Sequence, residues 1–336
     1  MTRKTLLAPL AGLCLLLGSA PLPALDTTRA DVRAFVANLS ARHGFDAVYL
    51  ENVLAESRTQ QKIIDALDRP AEKTKPWFEY RDIFITDKRI RAGQAFLDEH
   101  AASLDEVAQQ TGVPAEIIAA IVGVETFYGR ITGNFRVVDA LVTQGFDYPS
   151  RAKFGRSQLE QFFLLVKEEG FEAGALTGSY AGAMGPPQFI PSSYRAYAVD
   201  GDGDGQRDLL GNWDDIIASV ANYFVAHRWK AGEPVAFPAQ VPDADEAPVT
   251  KRLKLSETVG SLQQRGISTD AELIDDTPAM LLRFEVADGD EYWLALHNFY
   301  VITRYNRSQM YALAVYQLAS ELAAAQAAPK VARSAP

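Results

Sequence analysis

The 336-residue chain has a single cysteine, Cys14. One thiol cannot close a disulfide within the chain, so stability must come from a buried core, with or without a metal. Long apolar runs are also missing: beyond residue 24 no stretch is apolar enough to span a bilayer. Basic charge is in deficit. Lys and Arg number 33 against 43 Asp and Glu, a formal net charge of −10, which argues against binding nucleic acid or an anionic membrane through bulk charge. There is no internal repeat. No Gly-Lys-Ser/Thr follows the glycine-rich stretch near residue 180, which excludes a phosphate-binding loop there.

What is present is an ordinary globular composition, 48% hydrophobic and 23% charged, long enough for two or three subdomains around a sizeable core. Residues 1–24 stand apart. Arg3 and Lys4 precede the apolar run Leu6 to Leu17, and small residues and prolines follow up to Ala24, the pattern of a secretory signal peptide cut after Ala24. Leu13, where a small residue would be needed, argues against a lipid anchor on Cys14. Cleavage removes two basic residues and takes the net charge to −12.

The chain is organised around VPAEIIAAIVGVETFYG, Val113 to Gly129, which reads as one helix with Pro114 in its first turn. At about 100° per residue, Ile118, Ile121, Val122 and Tyr128 fall within about 60° of Glu125, and Glu116 falls about 180° away. A carboxylate on a packed face must be paired, hydrogen-bonded or kept protonated. Two readings follow: a buried ion pair with an arginine such as Arg130, or a general acid with a raised pKa.

Helical periodicity runs over Asp26 to His43, Phe45 to Leu67, Arg91 to Gln110, Arg151 to Gly170 and from Asp215 through IIASVANYFVAHRW. Residues Lys75 to Ile90, rich in aromatic and β-branched side chains, read as extended or loop-like over a groove, with Tyr80 exposing its hydroxyl. Thr177 to Asp200 is glycine- and proline-rich, irregular backbone that leaves room for a bulky neutral ligand. Ser179, Gln188 and Ser192 offer hydrogen bonds there. Residues 231–250 hold four prolines and read as an exposed connection. MLLRFEV and EYWLALHNF read as a hairpin turning at 287–290, and a helix from Ser308 to Ala324 returns the chain to the body. The expected organisation is a signal peptide at 1–24, a helical domain and core at 25–230, a linker with a small β subdomain at 231–297, a helical return at 298–325 and a disordered tail at 326–336.

The second chemical signal is Asp200-Gly-Asp202-Gly-Asp204-Gly-Gln206. It matches the first half of an EF-hand: oxygen ligands at positions 1, 3 and 5, glycine at 6 and a backbone carbonyl at 7, from Gln206. Three close carboxylates repel unless a hard cation such as Ca²⁺ lies between them. Position 12 is Gly211, so the closing acid is Asp214 or Asp215, later than the standard loop places it. A structural Ca²⁺ is expected, with no cofactor for catalysis.

VGVETFYG, GSYAGAMGPPQFIPSSYRAYAVDGDGDG, SVANYF and NFYVITRYNRS together resemble the membrane-bound lytic murein transglycosylase B family, in the right order from about Lys75 to Ser308. The resemblance implies a mainly α (α+β) fold: a lysozyme-like helical catalytic core, a helical domain, an EF-hand-like loop and a small antiparallel β insertion. It implies cleavage of peptidoglycan between MurNAc and GlcNAc with a 1,6-anhydro product, in the periplasm. The family's catalytic Glu falls on Glu125. Its groove residues fall on Tyr80, Arg151, Ser179, Gln188, Tyr223 and Tyr305, and its calcium loop on Asp200, Asp202, Asp204, Gln206 and Asp215. Of the family's basic pair after Tyr-Pro only Arg151 is present, since Ser150 replaces the first. The expected partners are peptidoglycan strands, with room for wall-remodelling proteins. Nothing calls for more than a monomer.

One carboxylate suffices for such a reaction if the substrate's own N-acetyl group stabilises the cationic centre. Two alternatives stay open: a hydrolytic muramidase, with Asp139, Asp147 or Asp82 activating water, and a calcium-stabilised wall binder without turnover.

Overall fold

A computed structural model describes residues 24–68, 75–250 and 252–327. The signal-peptide and lipidation readings (save Ala24), and the tail beyond Ala327, lie outside these residues.

Helix α7 (Ala115–Thr126) is the axis of the molecule. Nine of its twelve residues are buried, from Ile117 to Val124 and again at Thr126, so it is enclosed on all sides rather than on one face. Even Glu116 is half-buried, where the angular reading points it to water. The helix starts after Pro114 as N-cap and ends at Phe127; Tyr128 therefore does not continue its face. Enclosure follows from side-chain size. Ala119 and Ala120 let α14 (Gln309–Ala327) approach with its own small residues, Ala312 and Ala319 among them, while Ile118, Ile121 and Val122 fill the space between.

The helices before it are α1 (Ala30–His43), α2 (Ala47–Ala55), α3 (Gln61–Asp68), α4 (Trp77–Phe84), α5 (Asp87–Glu99) and α6 (Ala101–Thr111). The stretch Lys75 to Ile90 is thus helical, not extended. Trp77, Tyr80 and Phe84 recur at helical spacing and pack in series, Trp77 stacked on Tyr80 and Tyr80 tilted against Phe84, with ring centroids 6.3 and 5.1 Å apart, and Thr86 caps the next helix by accepting from the Arg89 N–H. After α7 come α8 (Val137–Phe146), buried along its whole length, α9 (Ala152–Glu169), α10 (Pro191–Tyr197) and α11 (Trp213–Ala226). A two-residue ladder pairs β1 (Phe135–Arg136) with β2 (Thr177–Gly178).

The β subdomain is one four-stranded antiparallel sheet in the order β3 (Ala236–Ala239), β6 (Gly289–Ala295), β5 (Pro278–Val286), β4 (Glu257–Thr258). The hairpin turns through Ala287 and Asp288, with Val286 opposite Gly289. The proline-rich 231–250 stretch is not purely a connection. It supplies β3, and Pro238 is tolerated because β3 is an edge strand. A small core of Val259, Leu262, Ile267, Leu281, Leu294 and Leu296 closes the subdomain, with α12 (Val259–Gln263) across it. Helix α13 (His297–Tyr305) begins inside the HNF segment that reads as strand, and leads into α14. Among the described residues no single helix is long and apolar enough to cross a membrane.

Candidate active site

Glu125 sits in the last turn of α7, partly buried. The helix stops because Phe127, Tyr128 and Gly129 all have positive φ, 52°, 58° and 77°. Two non-glycine residues in this region cost about 1–2 kcal/mol each, so the surroundings must hold them. Thr126 is the latch. Its Oγ1 donates to the carbonyl of Pro186 (2.9 Å) and accepts from the Gly129 N–H (3.0 Å), tying the helix end to the glycine-rich segment. Tyr128 turns inward over Gly123, where a Cβ would come within 2.7 Å of its Oη. Phe127 turns outward.

The side chain that meets Glu125 comes from the far end of the sequence. Tyr311, in the first turn of α14 and 2% exposed, donates from Oη to Glu125 Oε1 at 2.6 Å. Burial, and then the negative charge of Glu125, push the Tyr311 and Tyr305 hydroxyls well above the usual phenol range. Both stay protonated at neutral pH, so Tyr311 serves as a donor that orients the carboxylate and does not act as an acid. Tyr305 stacks on Tyr311 at 11° between planes and 6.5 Å between centroids, and its Oη donates to Pro187 O at 2.5 Å. Tyr223 is buried against Tyr305 and His227, with centroids 4.8 and 4.2 Å away, and donates to Arg304 O at 2.5 Å. Its hydroxyl, pushed up to about 12 by burial, is committed to that carbonyl, so Tyr223 backs Tyr305 instead of presenting its own hydroxyl.

The glycine-rich segment forms the wall opposite. Gly185, at φ 67°, runs so close to Leu209 that a Cβ would lie 2.0 Å from its carbonyl oxygen. Gln188 is held at φ 51°, with its Nε2 donating to Thr132 O (3.0 Å) and Gly185 O (2.9 Å). Ser179 Oγ accepts from the Ala183 N–H at 3.2 Å. The structure brings Gln188 and Tyr305 together on the Pro186–Pro187 turn beside Glu125. Arg151 lies farther along, over the ring of Phe154 at 4.6 Å, at the start of α9. Tyr80 contradicts the sequence reading: it is 2% exposed, because α4 packs its aromatic face inward toward Tyr311 and Trp77. Thr126 and Tyr311 were not foreseen. The signal for Tyr311 is a hydroxyl-tipped aromatic near the start of an otherwise Ala- and Leu-rich helix, since a buried phenol needs a polar partner.

The acids that could activate water are engaged elsewhere. Asp139 accepts from the Arg58 N–H at 3.0 Å and lies 3.5 Å from Arg136. Asp147 is held by Arg29 at 2.6 Å and Thr59 at 2.5 Å. Asp82 is an exposed side chain beside Arg81.

In the acidic loop, one carboxylate oxygen each from Asp200, Asp202 and Asp204 lies within 4.8 Å of the others. Backbone N–H groups of Gly203, Asp204 and Gly205 point at the Asp200 carboxylate, folding the loop back on itself. Asp214 is exposed and Asp215 fully buried. Asp215 Oδ1 accepts from the Gly201 N–H (2.7 Å) and Oδ2 from the Asp208 N–H (2.6 Å), which clamps both ends of the loop. Desolvation, and then the neighbouring Asp202 and Asp200 charges against those two bonds, raise its pKa. The three oxygens converge in the way a hard cation would require.

If Tyr311 orients Glu125, Tyr311→Phe should cut the rate of any Glu125-dependent reaction by roughly tenfold or more, the worth of one hydrogen bond to a charged group. Steady-state rates and a melting curve check this; unchanged rates would make Tyr311 a packing residue only.

Compared with known proteins, the chain matches the transglycosylase SLT domain over residues 27–320. It is 40% identical over 308 residues to the membrane-bound lytic murein transglycosylase B of Escherichia coli (strain K12), covering 88% of this chain and 83% of that relative. The soluble lytic transglycosylase SltB1 from Pseudomonas aeruginosa superposes with a TM-score of 0.84 at 50% identity, over 89% of this chain and all of the other (100%). The Escherichia coli lytic transglycosylase Slt35, solved in complex with calcium, superposes with a TM-score of 0.80 at 38% identity, over 88% and 93% of the two chains.

Proposed function

The chain belongs to the transglycosylase SLT domain family, and on that premise we propose that it is a peptidoglycan lytic transglycosylase of the periplasm with Glu125 as its one catalytic carboxylate. The observation that carries the role is the 2.6 Å bond from Tyr311 to Glu125 Oε1, made where α7 ends beside Tyr305 and the Pro186–Pro187 turn. With Oε1 accepting from Tyr311, the acid proton is carried by Oε2. It passes to the glycosidic oxygen as the bond from that oxygen to C1 of MurNAc breaks. The N-acetyl group of the same sugar stabilises the cationic centre. Glu125, now ionised, takes the proton of the C6 hydroxyl, and O6 closes on C1. Protons and bonds balance without water.

This reading agrees with the acids around it. Asp139, Asp147 and Asp82 are engaged or exposed away from Glu125, which speaks against a hydrolase that needs a second carboxylate. Gln188, with its amide nitrogen on backbone carbonyls, offers its oxygen to an acetamide N–H. The ring of Tyr305 offers an apolar face to a sugar. Ser179 and Arg151 would extend the groove, as the family resemblance implies. Tyr80 and Tyr223 support it from behind.

Asp200, Asp202, Asp204, the Gln206 carbonyl and Asp215 would hold a structural Ca²⁺. The ion would neutralise the loop that joins α10 to α11 and has no part in the chemistry. Mass spectrometry of muropeptides released by the purified protein tests the function. Anhydro-muramyl ends are expected; reducing ends would make the protein a hydrolase, and no release a binder.

A further inference from the structure

Three cations surround one half-buried ring two residues past Glu125. Lys88 Nζ, Arg89 Cζ and Arg130 Cζ lie 5.6, 5.0 and 5.2 Å from the centroid of Phe127. Among the described residues none of the three has a carboxylate within ion-pairing distance, although Arg29, Arg42, Arg136, Arg195 and Arg207 all do. Carboxylates are not scarce in a chain with 43 of them. The nearest acids on the same helices face elsewhere: Asp87 toward Arg91 and Asp82 toward Arg81. Arg89 donates to the Ile83 carbonyl, but its buried Nε has no partner, and burial lowers its pKa.

Three like charges around one ring repel each other. The ring face offsets part of this, about 0.5–1 kcal/mol for each exposed cation. The backbone adds a cost of its own, since Phe127 stands outward only by adopting φ 52°. A cluster kept unpaired, in an acidic protein, on strained backbone, is complementary to an anion. Its position is close to Glu125: Phe127 is two residues further along the chain, at most about 7 Å between Cα atoms.

Given the transglycosylase reading of Glu125, on which this inference rests, the anion is part of the wall polymer. The sugars of a peptide-bearing strand are neutral, because the lactyl carboxyl of MurNAc is tied up in an amide bond. That group carries the peptide stem, whose free carboxylates hang beside the sugar that reacts. We propose that Lys88, Arg89 and Arg130, gathered around Phe127, form a lip that binds the stem carboxylates and makes the enzyme prefer peptide-bearing strands to bare glycan.

The test compares two substrates: peptide-bearing strands, and the same strands stripped of peptides by an amidase. Lys88 and Arg130 are exposed, so the double variant Lys88→Gln/Arg130→Gln leaves the core alone, and Arg89 is not altered. Wild-type enzyme should cleave the peptide-bearing strands with a kcat/KM roughly five- to tenfold higher, the worth of two surface ionic contacts. The double variant should lose that ratio through KM, with little change in kcat. Added salt should erode the wild-type ratio and leave that of the variant flat. A ratio unchanged by the double substitution would overturn the proposal. So would an equal loss on both strands, which would place the lip on the glycan itself or on the lactyl carboxylate that the amidase frees. Failure of the transglycosylase reading is distinguishable, because no anhydro ends would then appear from either strand with any variant.

Discussion

Glu125→Gln is expected to lower the release of anhydro-muropeptides by on the order of a thousandfold, the upper range for removing a general acid that also serves as the base. The substitution is nearly isosteric. Its amide oxygen can still accept from Tyr311 Oη, so the bond that fixes the wild-type side chain survives, and the Thr126 latch to Pro186 is untouched. What is lost is the exchangeable proton. The thermal midpoint should therefore stay within about 2 °C of wild type, as expected where no buried group is orphaned. Binding to insoluble sacculi should persist as well, since Tyr305, Gln188 and the Phe127 lip remain. A rate within tenfold of wild type would remove Glu125 from the chemistry and would return it to the role of a buried structural carboxylate. Loss of rate together with loss of folding would be uninformative for Gln alone. Glu125→Asp then decides: it keeps the acid but withdraws it by one methylene, and should retain more activity than Gln if proton transfer is the role.

How far the site could be read from the chain depends on where each residue lies in sequence. Glu125 was legible because a lone acid in VGVETFYG stands out against apolar neighbours, and the acidic loop because its ligand spacing is local. The helix itself was misjudged as amphipathic. A single-face pattern and an enclosed helix differ mainly at positions such as Ala119 and Ala120, and small residues do not declare what covers them. Trp77, Tyr80 and Phe84 misled in another way. Aromatic and β-branched residues favour strands, yet their spacing is that of a helix face, and tertiary packing overrides the propensity. Pro238 hid β3 because proline reads as a breaker, while an edge strand needs no N–H on its outer side. Tyr311 was out of reach for a different reason. It stands 186 residues from Glu125, in a helix whose other features are all about packing, and only the folded chain shows that the two meet. The left-handed pair Phe127–Tyr128 was equally hidden, since nothing in either side chain asks for positive φ.

Calcium is expected to raise the thermal midpoint by roughly 5 °C when present at about a hundredfold its Kd, with chelator reversing the gain. The reasoning is that Asp200, Asp202 and Asp204 already converge, so the ion binds the folded loop and not the unfolded chain. Two substitutions separate ligand from scaffold. Asp202 is exposed, and its carboxylate is steadied first by Asn212 and then by the Asp204 N–H. Asp202→Ala should abolish the calcium-dependent gain. In chelator it should melt no lower than wild type, because one of three repelling charges is gone. Asp215 is different. It is fully buried, and its two oxygens satisfy the N–H groups of Gly201 and Asp208. Removing it orphans two donors at the base of the loop, so Asp215→Ala should melt lower than wild type with and without calcium, by several degrees. Differential scanning calorimetry of the three proteins in calcium and in chelator gives six midpoints. Equal wild-type midpoints in the two conditions would reduce the loop to a solvated turn. A calcium response that survives Asp202→Ala would move the ion off this triad. If Asp215→Ala lost only the calcium gain and matched wild type in chelator, Asp215 would be a ligand alone, and the clamp it makes on the loop ends would carry no weight in the fold.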